Sequence, residues 1–170
     1  MKKLWAPWRT GYITSIPKKK GCFLCIGASR KSDEKRYIVR RSKSSFAILN
    51  LFPYNNGHLM VAPYRHTGSL EELTQEEILD MARLVIEMKR LLDLRLKPGG
   101  YNIGLNIGRA GGAGVEHHIH IHIVPRWFGD TNFMPILSDT KIVSESLRDL
   151  YCRLKGGKRT RGTHAQKKTA

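Results

Sequence analysis

Residues 118–123 read His-Ile-His-Ile-His-Ile, and no other stretch of the chain restricts its fold as tightly. Successive side chains of a β-strand point to opposite faces of its sheet. The alternation therefore predicts a strand over residues 117–124, with three imidazoles on one face and three isoleucines on the other. The isoleucine face requires a core, and hence a second layer packed on that side. The histidine face has no comparable structural reason to exist, because one or two imidazoles satisfy any hydrogen bond a core needs. His117 falls on the isoleucine side of the pattern and is given no role. At the rise of a strand, His118 and His122 lie about 13 Å apart, near the limit for two imidazoles meeting at one ion. A metal at one end with a free imidazole beside it fits that spacing better than one ion held by all three.

Around this segment the pattern changes period. Residues 37–41 and 45–51 read as strands, the cluster Pro53-Tyr54-Asn55-Asn56-Gly57 as a turn, and His58–Ala62 as a third strand. Leu70, Leu73, Ile78, Met81, Leu84, Met88, Leu92 and Leu96 then recur at helical spacing. Ser69 with Glu72 and Thr74 with Glu77 both fit a capping box, so a short turn followed by one helix from Gln75 to Leu96 is predicted, stopped by Pro98-Gly99-Gly100. A strand from Tyr101 to Ile107 leads into the glycine-rich segment Gly108–Gly114, and a last helix is predicted near residues 140–154. Strands in series with one long helix between them imply an α+β domain with a largely antiparallel sheet. The domain is expected over residues 22–154, between an arm at 1–21 and a basic, disordered tail at 155–170.

Thirty Lys and Arg against fourteen Asp and Glu leave a net charge of +16. That charge attracts polyanions, yet much of it flanks the apolar segments, where a solvated tail is the simpler reading. Weak, non-specific nucleic-acid binding is the most these tails imply. No run reaches the ~20 apolar residues of a membrane span, and no apolar stretch follows Lys2-Lys3, so neither a membrane helix nor a signal peptide is expected. Three cysteines, an odd number, argue against a disulfide framework and for the cytoplasm.

The segment Gly108–Gly114, preceded by Asn106, has the glycine content of a loop whose backbone N–H groups can approach phosphate oxygens. A plain hairpin connection explains that loop equally well by itself; beside a row of histidines in a basic chain it becomes a phosphate site, with Gly112 and Gly114 as contacts. The run His118-Ile-His120-Ile-His122-Ile-Val124 resembles the signature of the histidine triad superfamily. So do Asn50, Gly57-His58, Pro63-Tyr64-Arg65-His66 and Pro125-Arg126-Trp127, and together they cover roughly residues 22–137. Trp5-Ala6-Pro7-Trp8-Arg9 and Gly112-Ala113-Gly114-Val115 are similar to the bacterial branch of diadenosine polyphosphate hydrolases and phosphorylases.

The resemblance implies a histidine triad fold and an enzyme that cleaves adenylyl dinucleotides at an α-phosphate. In it His118, His120 and His122 form the triad, and His120 attacks the phosphorus to give a nucleotidyl-histidine intermediate. The chemistry is coherent, because a neutral ring nitrogen is a good nucleophile when the other nitrogen donates to a fixed acceptor. His122 and His58 would assist at phosphate oxygens, Asn50 would bind the ribose and Asn106 would lie near the phosphates. Gly114-Val115 stand where other branches carry a Gln-Thr or Gln-Ser pair. Water and inorganic phosphate both stay open as the acceptor, and a nucleotide- or nucleic-acid-binding module without turnover is the competing class. Members are commonly homodimers, which the sequence leaves open.

Cys22-Phe23-Leu24-Cys25 has metal-ligand spacing, although a single pair of buried thiols would look the same. A closed structural zinc site needs four ligands. The resemblance supplies the other two as His66 and His118, leaving His120 free on the same face. Cys152 reads as a core residue beside Leu147, Leu150 and Leu154.

Overall fold

The structure, a computed structural model, describes residues 22–25, 33–130 and 145–157. The expected arm at 1–21, the start of the expected last helix at 140–144 and the tail from 158 onward lie outside the described residues. The elements in chain order are α1 (Asp33–Arg36), β1 (Ile38–Arg41), β2 (Ser45–Leu49), β3 (Leu59–Pro63), α2 (Gln75–Leu96), β4 (Gly100–Leu105), β5 (Ile121–Arg126) and α3 (Leu147–Leu154). The five strands form one antiparallel sheet in the order β1-β2-β3-β5-β4. The α+β class and antiparallel sheet read from the sequence are therefore observed. The histidine strand β5 is inserted between β3 and β4 rather than added at an edge.

The side-chain alternation divides the sheet into two differently used faces. Val39, Ala47, Leu49, Leu59, Val61, Ile119 and Ile123 meet Met81, Leu84, Met88, Leu92 and Leu96 of α2 in the main core, which α3 closes with Leu150, Tyr151 and Leu154. Each such side chain removed from water contributes roughly 1.5–3 kcal/mol, so the isoleucine half of the alternation anchors β5 against the helix. On the opposite face a second cluster of Leu24, Ile38, Phe46, Ile48, Met60 and Ala62 covers the β1–β3 half of the sheet. Over β3, β5 and β4 that face carries the histidines instead.

The helix α2 has the bounds its periodicity predicts, because both ends are locally encoded. Thr74 Oγ1 accepts from Glu77 N–H at 3.2 Å and Glu77 Oε2 accepts from Thr74 N–H at 3.0 Å, a complete capping box. The box expected from Ser69 and Glu72 does not form: the Ser69 hydroxyl donates to Glu71 and the Thr67 hydroxyl to Glu72. Asp80 of α2 accepts from the hydroxyls of Ser42, Ser44 and Ser45 and from Ser44 N–H, tying the helix to the β1–β2 turn. Burial opposes ionisation of Asp80, but these donors outweigh it and bring the carboxyl down to about 2.

Strand ends differ from the sequence reading where side chains or strained backbone intervene. Tyr37 has φ 58 and so cannot continue the strand expected at 37–41. The strand expected to reach residue 51 ends at Leu49, because Asn50 Oδ1 accepts from Phe52 N–H and turns the chain. The strand read as 101–107 is Gly100–Leu105. Most consequentially, regular pairing of the histidine strand starts at Ile121, not at 117. Ile119 N–H donates to Thr67 O at 2.7 Å and His118 Nε2–H to Pro63 O at 2.9 Å, so the segment after β3 holds this lead-in, outside the ladder. Gly68 makes that approach possible: a Cβ there would lie 2.6 Å from Glu116 O.

Candidate active site and metal centre

Facing histidines are set by strand register. Met60 of β3 and Gly104 of β4 lie opposite His122 of β5, and His58 directly precedes β3. Gly57, at φ +78, turns the chain into His58 where a Cβ would come within 2.5 Å of Leu96 Cδ1. The structure thereby gathers His58, His120 and His122, all buried, with Asn50 and Asn106 at their side.

His120 is fixed by its own neighbour. Its Nδ1–H donates to the main-chain carbonyl of His118 at 2.8 Å. In the neutral ring the other nitrogen, Nε2, then carries a lone pair. Burial pushes this imidazole below the ordinary histidine value, with the His118 carbonyl opposing the shift in part. The ring thus favours the neutral form, with its lone pair fixed on Nε2.

A second chain of hydrogen bonds runs from the β2–β3 turn. Tyr54 N–H, which can only donate, is 3.0 Å from His58 Nδ1, so that nitrogen accepts and neutral His58 carries its proton on Nε2. His58 Nε2–H donates to His122 Nδ1 at 2.8 Å. Neutral His122 therefore carries its proton on Nε2. This nitrogen and Asn106 Nδ2, 3.5 Å apart, are then both donors and form no hydrogen bond with each other, so the Nε2–H is left for another acceptor. The rings of His120 and His122 meet edge-to-face with centroids 4.8 Å apart. A bare nitrogen and an N–H donor thus stand side by side, one suited to attack phosphorus and the other to hold one of its oxygens.

The remaining sites named from the sequence divide unevenly. Asn50 lies between Phe52 N–H and His58 Nδ1, its Nδ2 3.3 Å from the latter, and so braces His58. Gly112, at φ 84, and Gly114 lie in the loop from β4 to the histidine lead-in. That loop is closed by Ala113 N–H to Gly108 O and Gly112 N–H to Arg109 O, and Gly112 O accepts from Asn106 Nδ2 at 3.5 Å. Tyr54 was readable only as a turn residue, and Pro63 O and Thr67 O, being main-chain acceptors, leave no trace in residue type.

The His118 side chain enters a cluster with Cys22, Cys25 and His66. The Cys22–Cys25 turn, closed by Cys25 N–H to Cys22 O, presents both thiols to it. His118 donates from Nε2 to Pro63 O, so its Nδ1 lone pair points inward. That nitrogen lies 3.4 Å from Cys22 Sγ, 3.6 Å from Cys25 Sγ and 3.4 Å from His66 Nδ1, and Cys25 Sγ lies 3.0 Å from His66 Nδ1. A tetrahedral zinc ion with two sulfur and two nitrogen ligands separates its donor atoms by about 3.4–3.8 Å. The four donor atoms all fall within 4.8 Å of one another, and the set fits. Burial, then the adjacent Cys22, raises the Cys25 thiol, a pairing that a bound cation would relieve.

Residues 31–129 match the HIT domain family. The AP-4-A phosphorylase of Mycobacterium tuberculosis (strain CDC 1551 / Oshkosh) is 37% identical over 156 residues, covering 88% of this chain and 80% of that protein. The asymmetrical bis(5'-nucleosyl)-tetraphosphatase of Schizosaccharomyces pombe is 34% identical over 89 residues, 52% of this chain and 48% of that protein. Among solved structures, a hypothetical histidine triad nucleotide-binding protein from Sulfolobus tokodaii superposes with TM-score 0.60 at 28% identity, covering 79% of this chain and 87% of that one.

The cluster geometry generates a direct test. Purified protein is expected to carry one zinc per chain by elemental analysis. His66→Ala and Cys25→Ala are each expected to bring the content near zero and to lower the melting temperature. Full-length protein that stays metal-free and equally stable in excess zinc would contradict the assignment.

Proposed function

This chain belongs to the HIT domain family, and from that premise we propose that it cleaves adenylyl dinucleotides at the α-phosphate through a covalent intermediate on His120. The observation that carries the reading is the His120 tautomer. With Nδ1–H held by the His118 carbonyl, the Nε2 lone pair forms a bond to phosphorus as the bond to the bridging oxygen breaks and the polyphosphate leaves. His122 Nε2–H and the backbone N–H of Gly114 hold phosphate oxygens, while Gly112, whose own N–H goes to Arg109 O, lets the loop approach them. Preorganised donors of this kind stabilise charge without reorganising. His58 keeps His122 in the donating tautomer, Asn106 lies at the phosphates, and Asn50 braces His58 while binding the ribose.

An acceptor oxygen then attacks phosphorus and the N–P bond breaks, returning neutral His120. Inorganic phosphate is the acceptor favoured here, because similarity to the phosphorylase extends over 88% of this chain and that to the tetraphosphatase over 52%. Cys22, Cys25, His66 and His118 hold zinc, whose contribution is structural: it anchors the residue whose carbonyl orients His120. Three free cysteines support a reducing compartment, the cytoplasm; among the described residues no helix is long and apolar enough to cross a membrane. The charge of +16 supports weak, salt-dependent polyanion binding by the basic tails.

The chain acts as a homodimer on this reading. Edge strand β4 exposes Ile103 and Leu105 on the face where Tyr101 reaches Asp93 of α2. Ile78 and Ile86 are exposed on that same flank of the helix, so a strand edge that is unpaired among the described residues and an apolar helix flank lie together. A second copy satisfies both at once. Leu105→Asp is expected to halve the mass measured by sedimentation; a wild-type chain that is already monomeric at high concentration would rule the dimer out.

Incubation with diadenosine tetraphosphate is expected to give ADP and ATP in the presence of phosphate. His120→Ala is expected to lose activity by roughly 10³-fold or more, the scale of removing a nucleophile, with the fold intact by circular dichroism. AMP and ATP as the only products would reassign the acceptor to water. An unreactive wild type at high concentration would refute cleavage altogether.

A further inference from the structure

We infer that Tyr54 is a positioning residue for the reaction, clamping the His58–His122 pair so that His122 presents its Nε2–H to the substrate phosphate. The inference rests on the proposed roles of His120 and His122, to which it adds a residue. The Tyr54 ring lies over both imidazoles at once. Its centroid is 4.6 Å from that of His58 and 5.5 Å from that of His122, the latter pair stacked at 29°. The same residue's amide donates to His58 Nδ1 at 3.0 Å. One residue thus supplies the hydrogen bond that sets the direction of the relay and the surface that limits rotation of both rings.

This position is not explained by packing. Tyr54 joins neither hydrophobic cluster of the described residues, and it is 38% exposed. An aromatic ring there gives up little water-accessible area to a core; its contribution is stacking on the two imidazoles. The 2.8 Å bond between His58 and His122 depends on both χ2 angles, and sp² torsions of that kind are intrinsically broad. Without the ring the pair would sample other orientations, and the His122 proton would distribute between its two nitrogens. The space beside it is open: a Cβ at Gly104, opposite His122, would meet nothing within 4 Å.

The experiment compares full-length wild type, Tyr54→Phe and Tyr54→Leu by steady-state kinetics on diadenosine tetraphosphate and by ¹⁵N spectroscopy of the histidine rings. Tyr54→Leu is expected to lower kcat by roughly 10- to 100-fold, the scale of a small misplacement of a catalytic group, while KM stays within about twofold. The His122 ring signals are expected to move from one Nε2–H tautomer to averaged values, with the fold retained by circular dichroism. Tyr54→Phe, which keeps the stacked ring, is expected to restore both kcat and the single tautomer. Wild-type kcat and ring signals in Tyr54→Leu would overturn the inference, as would equal loss in the Phe and Leu variants. Should the wild type prove inactive on this substrate, the reading of the reaction fails instead, and the ring signals alone decide the role of Tyr54.

Discussion

The 2.8 Å hydrogen bond from His120 Nδ1–H to the carbonyl of His118 is the interaction on which the rest of the site depends. It joins two chemistries through a single residue. The side chain of His118 looks one way, into two thiols and a second imidazole. Its main chain looks the other way and sets the tautomer of His120. Nothing else in the lead-in to β5 is held by a regular strand ladder, so the cluster and the Pro63–Thr67 segment carry that load. A zinc ion at the cluster would therefore fix the orientation of His120, the proposed nucleophile, without touching substrate.

The fold makes this possible by giving the two faces of one sheet opposite tasks. Isoleucines at 119, 121 and 123 bury against α2 and hold β5 rigidly in the middle of the sheet. Histidines at 118, 120 and 122 are then delivered to the other face, where β4 contributes glycine and asparagine and leaves room for a ligand. Sites placed on well-packed strands keep their geometry better than sites on loops. The Asp80 tie to the β1–β2 turn and the capped ends of α2 extend the same rigidity across the domain.

Local signals were legible in the sequence and long-range ones were not. Helix Gln75–Leu96 could be read to the residue, because its apolar period, its Thr74–Glu77 box and its terminating Pro98-Gly99 all lie within it or beside it. The two-faced character of residues 118–123 was equally visible. The regular strand nevertheless starts only at Ile121, since the partners of residues 118 and 119 are main-chain atoms of Pro63 and Thr67, which no residue type announces. The Ser69–Glu72 pair has the spacing of a capping box, yet Thr67 and Glu71 compete for both groups. The four-ligand cluster draws on three separate segments, so spacing disclosed only Cys22 and Cys25. Tyr54 was hidden for a related reason: in a turn between Pro53 and Asn55 its identity looks incidental until β3 and β5 bring His58 and His122 beneath it.

Trapping the intermediate tests the role of His120 most directly. Wild-type protein is mixed with diadenosine tetraphosphate, quenched in alkali within the first turnovers, digested, and its histidine peptides are analysed by mass spectrometry. An adenylyl group on His120, and on no other histidine, is the outcome this geometry requires. Turnover with no adduct at His120, or an adduct at His122 instead, would contradict it.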